Sequence, residues 1–496
     1  MIDGLFEQIR QQKDVRAALS GLRAAIKEDE NYSRAADLIG DGAVLRPLLM
    51  SEDAKVRKNT AALIGDLELT ELSDALFLAY QKEQTLFVRG TLLKALEDTN
   101  AYPYLEKLRE RYEALCEKET EEQDKKHIRE ELHVLERILR KEGKEVTHTF
   151  TGWNQKYTIL LTTNQAYADL TAEKVHADKK AVTSLGVKAV VDNLREIRKI
   201  RTFRELLFPI ALKKEIYYED GPEAIAKAVA ESKLYQILQV SHKEPAPYYF
   251  RIDIKGGLSL AERSRYIKRA AAIIEEESGR KLLNAKDGYE FEIRLFFNKD
   301  RKIFVFLKMY TIPMERFAYR KESISASIRP SAAALLVELA KPYLKENAQI
   351  LDPCCGVGTM LIERNELVKA REIYGIDIFG EAIEKARINA DAAGLLVNFI
   401  HRDYMDFKHK YLFDEIITNL PVRGKKTKEE QDLFYKRFFD KSKEILAPGG
   451  VMILYSNENG FIKKQLRLHP EYKLYQEYLI IEKEQFYLYI IGLRNR

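Results

Sequence analysis

The sequence predicts a multidomain protein with an all-helical amino-terminal part, an α+β middle and an open α/β domain at its carboxyl end. Three observations carry this. The first is an apolar stretch through Ile350 and Leu351 that ends in Asp352-Pro353-Cys354-Cys355-Gly356-Val357-Gly358-Thr359 and runs straight into Met360-Leu361-Ile362-Glu363. It reads as a buried parallel strand, a tight glycine turn and a helix, with a ligand site at the strand's carboxyl end. The second is imprecise repetition within residues 1–115, where Leu38-Ile39-Gly40-Asp41 recurs as Leu63-Ile64-Gly65-Asp66, and Val56-Arg57 recurs as Val88-Arg89. The third is length. A chain of 496 residues, 46% hydrophobic and 32% charged, is too long for one core and ordinary for a globular protein.

The elements follow in chain order. Residues 1–115 read as a helical array. Residues 116–145 read as a charged connecting helix that ends near Gly143. Its Ile128, Leu132, Leu135, Ile138 and Leu139 recur at helical spacing, and its charges are expected on a solvated face. Residues 146–320 alternate strand and helix. Strands are expected at 157–161 and 249–254, a helix at 264–277, and a hairpin from 291–296 and 303–307 across Asn298-Lys299-Asp300. Residues 321–496 continue the α/β pattern. Ile373-Tyr374-Gly375-Ile376-Asp377 is a short apolar strand ending in a carboxylate. Ala382, Ile383, Ala386 and Ala390 give the next helix one buried face. Strands at 397–400 and 413–418 end in His401-Arg402-Asp403 and Asn419-Leu420-Pro421-Val422, and residues 449–455 and 485–490 supply the late strands.

The glycine loop alone does not name its ligand. The dinucleotide pattern G-x-G-x-x-G fails at Leu361, and no lysine follows Gly358 as a triphosphate loop requires. Asp377 stands 19 residues after Gly358, at a strand end, where a carboxylate can accept both hydroxyl protons of a ribose.

Taken in order, Asp-Pro-x-Cys-Gly-x-Gly-Thr, Gly-Ile-Asp, Arg-Asp and Asn-Leu-Pro resemble a Rossmann-like, S-adenosyl-L-methionine-dependent methyltransferase that acts on an amino group. That resemblance implies a seven-stranded, mostly parallel sheet. It also implies a cofactor site of Asp352, Cys355, Gly356, Gly358, Thr359, Asp377, Ile378, Asp403 and Asn419, with Asp377 on the ribose and Asp403 on the adenine amine. Catalysis then falls to Asn419, Leu420 and Pro421, whose carbonyls accept both hydrogens of an exocyclic amine and turn its lone pair toward the methyl group. Val422 departs from the family, which usually carries an aromatic there to stack on the base. The middle region resembles the ferredoxin-like and THUMP modules that precede the catalytic domain in tRNA and rRNA guanine-N(2) methyltransferases. Phe317-Ala318-Tyr319-Arg320 resembles their joining segment. Residues 1–115 resemble a HEAT-like solenoid, which implies a protein partner.

The implied function is methylation of a guanosine amino group in RNA, tRNA ahead of rRNA. The alternatives are methylation of an adenine amine or a protein glutamine, or a catalytically weak scaffold, which Val422 favours. Arg251, Arg263, Arg265, Lys268 and Arg269, with Arg423, Lys425 and Lys426 beside the catalytic motif, are the expected RNA contacts. Cys354 and Cys355 are expected to pack, not to attack, because no cysteine lies in the Asn-Leu-Pro motif. No histidine is spaced for a metal. Three cysteines, two adjacent, exclude a disulfide framework and suggest a reducing, cytoplasmic setting. No apolar run approaches the roughly 20 residues of a membrane span, and the start Met1-Ile2-Asp3-Gly4 does not read as a signal peptide. A net charge of +5 leaves the partner to local charge distribution.

Overall fold

The computed structural model of the chain describes residues 2–27, 29–117, 124–142, 148–255, 258–424 and 426–494. Two compact units emerge, Met1–Thr147 and His148–Arg496.

The first unit is helical: α1 (Ile2–Arg10), α2 (Val15–Ala25), α3 (Asp29–Ile39), α4 (Ala54–Asp66), α5 (Ser73–Lys82), α6 (Leu86–Asp98), α7 (Leu105–Glu117) and α8 (Lys125–Glu142). Helices α2, α4, α6 and α8 lie side by side in one row, and α1, α5 and α7 pair with their sequence neighbours α2, α6 and α8. The two sequence repeats fare differently. Arg57 and Arg89 are equivalent. Each donates to a carbonyl six residues earlier, Ser51 at 2.8 Å and Glu83 at 3.0 Å, and each reaches a buried carboxylate, Glu83 and Glu131. The two Leu-Ile-Gly-Asp copies are not equivalent. Gly40 ends a helix with φ +54, whereas Gly65 lies inside α4 against the backbone of Ala95. A glycine can serve either need, so the shared tetrapeptide does not mark a shared position.

Helix α8 corrects the reading of 116–145 as a separate connector, while Lys126, Glu130 and Arg137 are exposed as expected of a solvated face. Ile128, Leu132, Leu135 and Ile138 are buried in the core of the helical unit. Glu131 is fully buried too, and accepts from Tyr80 (2.6 Å), Arg89 (3.0 Å) and Arg111 (2.9 Å). A buried carboxylate needs such partners, and these come from three other helices. The expected end of this helix near Gly143 lies outside the described residues.

The second unit begins with β1 (Tyr157–Thr162), α9 (Ala168–Glu173), β2 (Lys179–Thr183), β3 (Gly186–Val191), α10 (Leu194–Ile197), β4 (Glu205–Ile210), α11 (Gly221–Ala230), α12 (Leu234–Ser241), β5 (Tyr248–Lys255), α13 (Leu260–Glu277), β6 (Leu282–Asn284), β7 (Phe291–Phe297) and β8 (Ile303–Met309). All eight strands join one sheet, in the order β2-β3-β1-β4-β8-β7-β5-β6. Phe250, Ile252 and Ile254 of β5 face Tyr266, Ala270 and Ile274 of α13 in its core. Successive strand side chains alternate faces, so Arg251, Asp253 and Lys255 line the opposite face, beside Glu292 and Arg294 of β7.

The carboxyl-terminal part follows: α14 (Pro330–Ala340), β9 (Ala348–Asp352), α15 (Thr359–Leu367), β10 (Ala370–Asp377), α16 (Gly380–Ala392), β11 (Asn398–His401), β12 (Phe413–Asn419), α17 (Lys428–Ile445), β13 (Leu446–Ser456), α18 (Asn459–Leu468), β14 (Tyr472–Ile481) and β15 (Phe486–Leu493). The sheet order is β11-β10-β9-β12-β13-β15-β14. β15 runs antiparallel between β13 and β14; the other neighbours are parallel. Ile350 packs toward α14–α16 with Leu336, Leu361 and Ile383, while Leu351 packs on the other side with Phe438 and Phe439 of α17. Strand order reverses between β9 and β12, and the crevice at their carboxyl ends is where such sheets bind ligands. Among the described residues, no helix is long and apolar enough to cross a membrane.

Candidate active site

β9 delivers the chain to the crevice, and the loop after it is braced from below. Asp352 is 1% exposed, and its carboxylate accepts the Cys354 N–H at 3.0 Å. Burial pushes that carboxyl up to about 7. Cys355 is buried, close behind Gly375. Asp352 and Cys355 therefore shape the loop rather than line its open side. Burial raises both the Cys354 and the Cys355 thiol well above the ordinary range, which removes the thiolate a nucleophile would need.

Gly356 has φ +51, and a Cβ there would meet nothing within 4 Å. The loop thus presents bare backbone to open space. The Asp377 carboxylate accepts from Gly356 N–H at 2.8 Å and from Phe379 N–H at 3.0 Å. Its remaining lone pairs point away from these bonds and can still accept from a diol. Ile378 and Phe379 follow, 58% and 64% exposed, and offer apolar surface where none is needed for packing. His401 holds this turn by a 2.9 Å contact with the Ile378 carbonyl, a structural task. Asp403 caps a short helix through Met405 N–H at 2.9 Å. This crevice fits a nucleoside with an apolar base face and a ribose.

Asn419 ends β12 beside Tyr455 of β13, and the Leu420 N–H donates to the Tyr455 carbonyl at 3.0 Å. Among the described residues, the Asn419 side chain makes no hydrogen bond, so its carbonyl is free for an amine. Leu420 is buried, Pro421 exposed and Val422 55% exposed. Arg423 is exposed, Lys426 lies over the Phe434 ring at 5.2 Å, and Lys425 falls outside the described residues.

Several residues that sequence reasoning missed tie this crevice to the eight-stranded module. Glu363, on the first turns of α15, accepts a bidentate pair from Arg201 (2.8 and 2.8 Å) and the Tyr319 hydroxyl at 2.5 Å. Arg320 donates to the Thr359 hydroxyl. Asn389, wholly buried, accepts from Lys321 and Glu322 N–H at 2.9 Å each and donates to the Val357 carbonyl at 3.0 Å. The Phe-Ala-Tyr-Arg segment was the available signal for Tyr319; Arg201 and Asn389 had none.

The expected RNA contacts do not form one patch. Arg263, Arg265, Lys268 and Arg269 lie on α13, on one face of the sheet, and Arg269 is paired with Glu223 at 2.7 Å. Arg251 points from the other face, against the Tyr289 ring at 4.9 Å and near Glu292 at 3.8 Å. On that second face Arg294 is ringed by Glu205, Glu292 and Asp253. Burial alone would raise the Glu205 carboxyl, but hydrogen bonds from Arg294 and Lys308 hold it at about 2. A cleft of about 670 Å³ opens here, lined by Thr162, Arg204, Phe296, Phe317, Arg329 and Ser331, among others. Neither Arg204 nor Arg329 has a carboxylate partner among the described residues. Burial pushes the Tyr455 hydroxyl up to about 12, and the nearby Arg204 charge opposes this.

Residues 318–480 match the model of the UPF0020 family, an RMKL-like methyltransferase domain. The chain is 27% identical over 211 residues to the U6 snRNA (guanine-N(2))-methyltransferase THUMPD2 of Bos taurus, a match covering 38% of this chain and 39% of that protein. It is 28% identical over 155 residues to the tRNA (guanine(10)-N2)-dimethyltransferase of Methanothermobacter thermautotrophicus, covering 30% of this chain and 45% of that one. The chain thus spans less than half the length of either relative. Among solved structures, TrmN from Thermus thermophilus superposes with a TM-score of 0.51 at 18% identity, covering 68% of this chain and 99% of TrmN. SMU.472 complexed with SAH gives 0.52 at 17% identity, covering 69% and 99%. At these identities the likeness establishes the fold.

Proposed function

We propose that this chain is an S-adenosylmethionine-dependent RNA methyltransferase acting on the exocyclic N2 amine of a guanosine. The observation that carries the reading is Asn419. Its side chain, unbonded among the described residues, stands at the carboxyl end of β12, next to β9 and its Gly356 loop and two strands from Asp377 at the end of β10. When bound, S-adenosylmethionine supplies an activated methyl group. Asp377 holds the ribose, Ile378 and Phe379 cover the adenine, and Asp403 accepts from its amine. Asn419 and the Leu420 carbonyl accept the two hydrogens of the target amine and aim its lone pair at the methyl carbon, so positioning does most of the work. Both curated relatives are named for guanine N2 chemistry on RNA, which favours guanosine over adenine or a protein glutamine.

The target base enters past Arg204, Arg329 and Phe317. The two guanidinium groups meet backbone phosphate. Phe317 offers the stacking face that Val422 does not, a contact worth about 1–3 kcal/mol per base. The eight-stranded module, read as ferredoxin-like and THUMP modules sharing one sheet, holds the RNA by shape and phosphate. The paired helices of the first unit, read as a HEAT-like array, are a surface for a protein partner.

The test is incubation of the whole protein with methyl-labelled S-adenosylmethionine and total tRNA, small nuclear RNA, rRNA, DNA or protein, followed by digestion. Label in N2-methylguanosine is the expected result. Label in adenosine or glutamine would sink the guanosine assignment, and label nowhere, despite cofactor binding, would favour the scaffold that Val422 suggests. Reversing both charges, Arg204→Glu with Arg329→Glu, is expected to weaken RNA binding and to lower the salt slope by about one per residue, while cofactor affinity stays unchanged. An unaltered slope in filter binding would place the RNA path elsewhere.

A further inference from the structure

Arg320 stands out within the joining segment. Its backbone is fixed on every side. Its own N–H donates to the Phe317 carbonyl at 2.9 Å, the Tyr319 hydroxyl is bound to Glu363, and the next two N–H groups are bound to Asn389. The side chain reaches the Thr359 hydroxyl, the first residue of α15 and the last of the glycine loop. A hydroxyl satisfies one of five guanidinium donors and none of the charge.

Among the described residues, no carboxylate is paired with it. The Glu363 charge acts on it, but both Glu363 oxygens are occupied, Oε2 by Arg201 and Oε1 by Arg201 and Tyr319. Among the described residues Arg320 has no ion pair. It is half-buried, and burial holds its pKa below the usual arginine value. Such a cation gains from one added negative charge at the loop. Asp377 grips the loop at Gly356, and Arg320 reaches it three residues on, at Thr359.

We propose that Arg320 binds the carboxylate at the amino-acid end of S-adenosylmethionine, opposite the ribose end held by Asp377. This rests on the reading of the crevice as a site for that molecule. It makes the joining segment part of the cofactor site. The segment also hydrogen-bonds to the eight-stranded module, because Arg316 donates to the Ile200 and Phe203 carbonyls.

The test compares two ligands by calorimetry on the whole protein. S-adenosylhomocysteine carries the carboxylate; 5′-methylthioadenosine keeps the adenosine and sulfur but lacks the amino-acid end. Arg320→Gln is expected to weaken S-adenosylhomocysteine about 10- to 100-fold, the loss of a charge-assisted pair, and to leave methylthioadenosine unchanged. Arg320→Lys, which keeps the charge, is expected to lose less than Arg320→Gln, with both variants matching the wild type in unfolding midpoint. Equal loss for both ligands, or loss for neither, would overturn the proposal. Wild-type protein that binds neither ligand would overturn the cofactor reading and this proposal with it.

Discussion

Asn419→Ala is expected to lower the methyl-transfer rate by about 100- to 1000-fold, the usual cost of removing one preorganised polar contact from a reacting centre. Cofactor affinity is expected to stay the same. The two readouts separate because of how the residue is held. Its backbone lies in the β12–β13 ladder, and the next N–H is bound to the Tyr455 carbonyl at 3.0 Å. Its side chain supports nothing else among the described residues. Truncation therefore removes an acceptor without opening a cavity. Single-turnover rates with saturating RNA, beside calorimetry with S-adenosylhomocysteine, check this. A rate equal to wild type would remove the amine-orienting role. A fall in cofactor affinity of the same size as the fall in rate would make Asn419 a cofactor ligand instead. Asn419→Asp, which keeps an acceptor at the same reach, is expected to lose less than the alanine variant.

The crevice was legible in the sequence because its parts are local. A glycine turn, a carboxylate ending an apolar strand and an Asn-Leu-Pro run each sit at one strand end, and parallel topology brings strand ends together. What the sequence hid is what folding brings from afar. Arg201 and Glu363 are 162 residues apart, and either alone reads as one more surface charge. Asn389 reads as a polar residue on an amphipathic helix, yet it is wholly buried and bonded to the joining segment and the loop. The basic residues are split into two groups for a different reason. Arg251 and the α13 cluster lie close in sequence, but they sit on a strand and on the helix that covers its other face, so the sheet separates them. Helix α8 shows the same gap in reverse. Its apolar stripe was plain, but nothing local told whether that stripe met solvent-side neighbours or the helical unit's own core, and Glu131 is buried only because Tyr80, Arg89 and Arg111 converge on it.

Glu415→Ala is expected to destabilise the second unit by about 3–5 kcal/mol, because it strands a buried charge. Arg364 and Glu415 are each fully buried, with Nε to Oε2 and Nη2 to Oε1 both 2.8 Å. The remaining polar atoms are also served. Arg364 donates to the Lys345 carbonyl at 2.7 Å and to the Val368 carbonyl, and Glu415 accepts the Lys345 N–H at 2.7 Å. Such a network is costly to break from one side and far less costly to replace whole. The double variant Arg364→Met with Glu415→Leu, of similar volume, is therefore expected to be more stable than Glu415→Ala alone. Urea unfolding, followed through the transition of the second unit, gives the comparison as a shift in midpoint. A single variant no less stable than the double would mean that the pair is not desolvated in solution. The pair also joins two halves of the site. Arg364 lies on α15, the helix that starts at Thr359, and Glu415 lies on β12, four residues before Asn419. Loss of the pair loosens the glycine loop against β12, so Glu415→Ala is expected to lower turnover below the folded fraction measured at the same temperature. The repacked double variant is expected to recover stability before it recovers rate, since apolar contacts restore packing but not the fixed distance between the two elements.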